Sequence, residues 1–162
     1  MNNFRLHCAA AVIAVAVFSA VPVAHGQVLG ADTVEGTYTQ PVNSGWQAIP
    51  VGFSFTGPPT RTALPFKTTS SNVRVVITYN TSCLALGFAV YVRAKVDGVV
   101  ASPGTVKDVR LCFTTVSGSS YPASRMFTAV VPAAGAHNVT IELMGDQNAA
   151  VSIGDSTVVV QQ

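Results

Sequence analysis

Apolar and polar residues alternate along much of the second half of the chain. In Val73–Tyr79 and again in Phe88–Val96, apolar residues recur at every second position. A period of two places successive side chains on opposite faces of an extended strand, so it predicts strands that are buried on one face. Met126–Val131, Val139–Leu143 and Val151–Val160 show similar patterns. The pattern therefore predicts a series of half-buried strands.

Turn-forming residues separate these segments. Asp97-Gly98 is a strong signal for a tight hairpin, Gly145–Asn148 predicts a further turn, and Gly154 predicts a bulge in the last strand. Gln27–Gln40 is small and polar, which predicts a loose arm or a short edge strand. No segment after it has apolar residues at helical spacing. We predict an all-β fold, an antiparallel, jelly-roll-like β-sandwich of about seven to nine strands.

The beginning of the chain has the organisation of a secretory signal peptide. A positive charge at Arg5 precedes an apolar run, Ala9–Val23, and small residues stand at Ala24 and Gly26. We predict cleavage after residue 26, which leaves residues 27–162 as a single domain. The apolar run is shorter than a spanning helix needs, so we predict a secreted or periplasmic protein with no membrane span after cleavage.

Composition narrows the function classes. The chain is 49% hydrophobic, only 10% of its residues are charged, and its formal net charge is +2. Nearly balanced charge gives no strong field for a polyanion, so we predict no nucleic-acid partner.

Two cysteines, Cys83 and Cys112, remain after the predicted cleavage. A pair of cysteines in an exported chain is normally oxidised, so we predict one intradomain disulfide. Alternation places Val109, Leu111 and Phe113 on the inward face of their strand and Cys112 on the other face. We therefore expect the loop that carries Cys83 to fold over the outside of the sheet.

Four segments carry a resemblance to known proteins: Val92–Gly98, Ala101–Gly104, His137–Ile141 and Ser152–Val158. In these the chain resembles a loose group of largely uncharacterised exported bacterial β-sandwich proteins. The resemblance covers Val73–Val160, and its motifs are strand and turn patterns. It implies the same fold and an exported location, and it transfers no active-site residue.

Catalytic chemistry has little support in the sequence. After the predicted cleavage His137 is the one histidine, and no serine stands in a Gly-x-Ser-x-Gly motif. We expect His137 to be a surface residue at the start of a strand, and we assign no catalytic residue and no cofactor.

A calcium site is a weaker alternative. Asp146, Asn148 and Asp155 lie in or near turns, where their oxygen atoms could converge on Ca²⁺. Asp and Asn also occur in turns for reasons of backbone conformation alone.

One strand offers a candidate binding face. Tyr91, Arg93 and Lys95 share its outward side, and we expect Arg74 on the same face of a neighbouring strand. Aromatic and guanidinium groups can stack on sugar rings or hold acidic groups. The alternative is that these side chains simply solvate the sheet.

Three functions remain open at this point. The first is a non-enzymatic exported module that binds or assembles, by self-association or with an extracellular glycan or protein. The second is a small secreted hydrolase that depends on His137. The third is a calcium-dependent carbohydrate-binding module.

Overall fold

The computed structural model describes residues 26–52, 61–104, 109–113 and 120–162, and these contain ten β-strands and no helix. The strands are β1 (Val28–Val42), β2 (Gln47–Ala48), β3 (Leu64–Thr68), β4 (Val73–Leu84), β5 (Val90–Val96), β6 (Val99–Val100), β7 (Arg110–Cys112), β8 (Tyr121–Val131), β9 (Gly135–Gly145) and β10 (Ala149–Gln161). Within the described ranges, no helix could cross a membrane.

The strands form two antiparallel sheets. The first has the order β1-β10-β4-β8. The second is built on the pair β9-β5, with β2 and β3 along one edge of β9 and with β6 and β7 along the far edge of β5. The prediction of an all-β fold of packed antiparallel sheets is confirmed, whereas the jelly-roll assignment stays a prediction.

The core lies between the two sheets and follows the alternation of the sequence. Along β4 and β5 every second side chain is buried, as predicted. Ile77 and Phe127 from the first sheet and Val92 and Ile141 from the second are each fully buried. Burying one such side chain is worth about 1.5–3 kcal/mol, so this shared core holds the sheets together.

The predicted turns form as expected where the structure describes them. Asp97 and Gly98 close the β5–β6 hairpin with φ angles of 49° and 84°, which are the left-handed angles that a tight hairpin turn requires. Gly145–Asn148 joins β9 to β10, and the register of β10 against β4 shifts just after Gly154, as a bulge predicts.

The expectation for the first strand needs correction. Of the two alternatives for Gln27–Gln40, the loose arm is wrong, and the edge strand is right in place but wrong in length, since β1 is a 15-residue edge strand that pairs with β10 along its length. Only Val34 and Val42 of β1 are buried hydrophobic residues. Leu29 and Tyr38 pack against the core only in part, so main-chain pairing with β10 supplies most of what holds β1 and leaves little apolar pattern in the sequence.

The disulfide forms, but not where the sequence suggested. Cys83 ends the inward-facing series of β4 and is 1% exposed, and Cys112 belongs to β7 in the other sheet. The bond therefore joins the two sheets through the interior, with a Cα–Cα distance of 6.0 Å, instead of covering the outside. Phe113, expected inside, is 47% exposed.

The two ends of the described chain meet at one corner of the first sheet. Gln27 donates a main-chain hydrogen bond of 3.0 Å to Gln162, and Gln162 donates one of 2.9 Å in return. The predicted signal peptide lies outside the described residues, except for Gly26.

Candidate functional site

The predicted basic face centres on a carboxylate. Arg93 Nε lies 2.6 Å from one carboxylate oxygen of Glu142, and Lys95 Nζ lies 2.9 Å from the other. Arg93 stands directly opposite Glu142 in the β5–β9 register, which explains the contact. One anion held between two cations leaves a local charge of +1.

An aromatic side chain completes this face. The guanidinium of Arg93 lies 4.3 Å from the centre of the Trp46 ring, at cation–π distance, and Trp46 comes just before β2. Tyr91 is on the same face of β5 and pairs in register with Met144 of β9. The structure thus brings Tyr91, Arg93 and Lys95 to one face, but Arg93 already engages both Glu142 and Trp46.

Sequence reasoning missed Glu142 and Trp46. The signal for Glu142 was present, because it alternates with inward-facing Ile141 and Leu143 and so falls on the outward face of β9. No signal in the sequence placed Trp46 beside Arg93, because that contact depends on how β2 pairs with β9.

Arg74 does not belong to this face. It lies on β4, whose neighbours are β10 and β8, so the expectation that its strand lies beside β5 is wrong. The chain passes into the other sheet between β4 and β5. Arg74 instead lines a groove at the margin of the sandwich.

We call this feature the β6–β8 groove, since it lies between those two strands. Its volume is about 640 Å³, within the range of small-molecule and peptide sites. Its lining residues are Arg74, Val96, Asp97, Val99, Val100, Ser102, Thr128, Ala129, Val130 and Pro132.

The groove is closed at one end and apolar on both walls. Ser102 and Thr128 exchange two main-chain hydrogen bonds, of 2.8 and 2.7 Å, which tie the segment after β6 to β8. Val99 on one wall is 71% exposed, and Val130 on the other is 60% exposed. Two aliphatic side chains thus face solvent across a shared concavity.

His137 is buried, not exposed as the sequence analysis expected. It is 7% exposed, and its ring stands 5.3 Å from the ring of Phe66. Nδ1 lies 2.7 Å from a carboxylate oxygen of Asp97, and Nε2 lies 3.1 Å from the carbonyl oxygen of Ala133. The burial follows the alternation, because His137 is in phase with the inward-facing residues of β9.

A buried hydroxyl extends the contact between His137 and Asp97 to a series of three polar groups. Thr68 Oγ1 lies 3.3 Å from His137 Nε2 and donates a 3.2 Å hydrogen bond to the carbonyl of Ala133. Hydroxyl, imidazole and carboxylate are the groups of a nucleophilic site. Here Thr68 is only 4% exposed and its proton is directed to a carbonyl, so the series ties β3 and β9 to the β5–β6 hairpin.

The neighbours of Asp97 stabilise its ionised carboxylate. Desolvation opposes its ionisation, but hydrogen bonds from His137 and from the Asn138 N–H, together with the charge of His137, outweigh it and lower the pKa of Asp97. A lowered pKa stabilises the fold above the unfolded-state pKa of about 3.9, and that contribution is lost as pH falls through the folded value.

We therefore expect Asp97→Asn to be less stable than the wild type at neutral pH, with a difference that shrinks as pH falls below about 4. Because the Asp97 side chain is 47% exposed, solvent screening limits the loss to at most about 1 kcal/mol. Urea unfolding across pH measures it. Asp146→Asn, in the exposed β9–β10 turn, is the matched control, and an equal pH dependence in both variants would contradict the assignment.

The candidate calcium ligands do not meet. Asp146 and Asn148 lie in the β9–β10 turn, whereas Asp155 lies well inside β10, about 20 Å along the strand. The carboxylate of Asp155 accepts a 2.7 Å hydrogen bond from the Gly36 N–H. In the part of the chain that the structure describes, no three His, Cys, Asp or Glu side chains cluster as metal ligands.

Two tyrosine hydroxyls are buried in the core without a hydrogen-bond partner in the described structure, those of Tyr38 and Tyr79. Burial raises both pKa values, that of Tyr79 to about 12. The nearby hydroxyls of Thr81 and Ser156 moderate the rise for Tyr79, although neither meets hydrogen-bond geometry with it.

We expect Tyr79→Phe to change the free energy of unfolding by less than about 1 kcal/mol, and to stabilise if it changes it at all, because an unpaired buried hydroxyl costs energy. Tyr79→Ala, which removes the ring as well, should cost about 3–5 kcal/mol. Urea unfolding compares the two. A loss above about 1.5 kcal/mol in Tyr79→Phe would instead show that the hydroxyl is satisfied, either by an internal water or by the hydroxyl of Thr81 or Ser156.

Comparison with known proteins adds little to this description. No protein-family model matches the chain, and no curated protein matches it. The solved structures that match include an alanine variant of the catalytic domain of a GH87 alpha-1,3-glucanase in complex with nigerose. Its sequence is 11% identical and its TM-score is 0.31. The matched region covers 85% of this chain and 28% of the glucanase chain.

Proposed function

We propose that this chain is a non-enzymatic exported module that works by binding or assembly, and that the β6–β8 groove is its contact surface. The observation that carries the proposal is the concavity of about 640 Å³ with Val99 and Val130 exposed on opposite walls. Apolar side chains exposed together around a concave surface are typical of interaction sites. Export is supported by the signal-peptide pattern of residues 1–26 and by the disulfide.

The placement of the polar residues supports the same proposal. His137, on which a hydrolytic mechanism depends, is buried and bonded to a carboxylate and a carbonyl. Arg93 and Lys95 share Glu142. Both sets of polar groups are thus engaged within the fold, whereas the aliphatic groups of the groove face solvent.

Two experiments on residues 27–162 under oxidising conditions test the proposal. Light scattering at rising protein concentration detects self-association, and a binding screen of extracellular glycans and proteins detects another partner. We expect either a defined oligomer or a specific partner, and Val99→Lys should abolish it. A monomer with no partner, or binding that Val99→Lys leaves intact, would contradict a role for the groove.

A small secreted hydrolase is a second candidate, favoured by the Thr68, His137 and Asp97 series. The sharpest test compares wild type with Thr68→Val on ester, peptide and glycoside substrates, since valine keeps the shape and removes the hydroxyl. We expect no turnover by either protein. Turnover that Thr68→Val loses would replace the non-enzymatic proposal.

The calcium-dependent alternative has a direct test in thermal unfolding. A ligand that binds only the folded state raises the unfolding midpoint. Because Asp155 lies far from Asp146 and Asn148, we expect the same midpoint with added Ca²⁺ and with a chelator. A rise with Ca²⁺ that Asp146→Asn abolishes would restore the calcium site.

A further inference from the structure

We propose that the occupant of the β6–β8 groove is the same groove of a second copy of this chain, in a two-fold symmetric dimer. This inference rests on the proposed function and names its partner. In such an interface each patch must be complementary to itself. The groove meets this requirement in its apolar walls, its charges and its open strand edge.

Charge is the first argument. Arg74 lies on the β8 side of the groove and Asp97 on the β6 side, so the rim carries one cation and one anion. Asp97 accepts hydrogen bonds from His137 and Asn138, but its side chain is 47% exposed and its carboxylate can accept a further one. A two-fold rotation places the β8 side of each groove against the β6 side of the other. Arg74 of each copy can then face Asp97 of the partner subunit. Arg74 makes no ion pair among the described residues, so its charge is open to a partner.

The main chain of β8 is the second argument. Thr128 directs its N–H and C=O groups to Ser102. Strand geometry repeats every two residues, so Val130 directs its own N–H and C=O groups toward the same edge. Within the described ranges β8 pairs with β4 on its other side, and no strand pairs with it at Val130. An antiparallel second β8 can pair with it at Val130 alone, because Ser102 occupies the groups of Thr128 and Pro132, two residues further on, has no N–H.

The opposite edge of the same sheet is protected. At β1 the carboxylate of Asp32 accepts a 2.9 Å hydrogen bond from the Thr33 N–H and also pairs with Arg61. The register of β1 shifts at a bulge near Gly36, and Pro41 has no N–H to offer. Charges, bulges and proline are the features that discourage edge pairing, so main-chain pairing with a second copy is disfavoured at β1.

The test is the dimer dissociation constant of residues 27–162, measured by light scattering or sedimentation, for wild type and two variants. Val130→Lys places a charge in the apolar contact and should raise the constant at least about 100-fold. Met126→Lys is the matched control, because Met126 is on the same face of β8, is 63% exposed and lies outside the groove lining. It should leave the constant within about threefold, since exposed sites away from the contact tolerate substitution.

Arg74→Glu gives an independent measurement that does not depend on packing. It should weaken the dimer by placing like charges opposite each other, and added salt should reduce the difference from wild type. Circular dichroism of each variant confirms that the fold is retained.

The outcomes separate this inference from the proposed function. A monomeric wild type overturns the dimer, and if a glycan or extended peptide then binds in a manner that Val130→Lys abolishes, the groove has a different occupant. An oligomer that Val130→Lys leaves intact overturns the groove as its interface while assembly itself stands. Equal weakening by Met126→Lys would extend the interface along the exposed face of β8 and would overturn the groove as its centre.

Discussion

Loss of the Cys83–Cys112 disulfide is expected to lower the free energy of unfolding by about 3–4 kcal/mol, because the bond closes a loop with a sequence separation of 29 residues. In the chain-entropy model the effect arises in the unfolded state, whose freedom the cross-link restricts. The disulfide also joins β4 of the first sheet to β7 of the second, so its loss removes a covalent connection between the two sheets.

Urea unfolding of a Cys83→Ala, Cys112→Ala double variant measures this effect. The matched control is wild type with the disulfide reduced, which should unfold at nearly the same urea concentration as the double variant. A loss below about 1 kcal/mol would contradict the expectation and would indicate that the unfolded chain is compact without the bond.

Glu142→Ala should cost about 2–3 kcal/mol, because it leaves Arg93 and Lys95 as partly buried cations with no anion between them. The Glu142 side chain is only 12% exposed, so water replaces it poorly. The estimate is below that for a fully buried pair, since the lysine side chain is 24% exposed.

Glu35→Ala, on the exposed edge strand β1, is the matched control and should change stability by less than about 0.5 kcal/mol. A double-mutant cycle between Glu142→Ala and Arg93→Met isolates the energy of that pair. A coupling near zero would show that Arg93 is held by Trp46 and not by the carboxylate.

The sequence predicted the elements that bury an apolar face. Alternation identified the buried faces of β4 and β5, and the Asp97-Gly98 signal identified the hairpin that joins β5 to β6. These features were readable because burial and turn conformation each constrain residue type locally. The polar strand β1 could not be predicted in the same way, because its main-chain hydrogen bonds to β10 place little constraint on the type of its side chains.

The candidate sites were less predictable because they depend on which strands become neighbours. Arg74 and Arg93 lie on similar strands in the sequence, but those strands belong to different sheets. The burial of His137 could have been deduced by extending the alternation of β9 backward. The β6–β8 groove had no such signal, because its walls come from opposite sheets.

The meeting of Gln27 and Gln162 at one corner has a consequence for engineering. A β-sandwich in which Gln27 and Gln162 are hydrogen-bonded neighbours can be placed within a surface loop of another protein without separating the ends of that loop. Joining the two ends by a short linker and opening the chain at the exposed β9–β10 turn would give a circularly permuted form. Such a protein would keep every strand pair and would lose only the covalent connection between β9 and β10. It would present the β6–β8 groove unchanged.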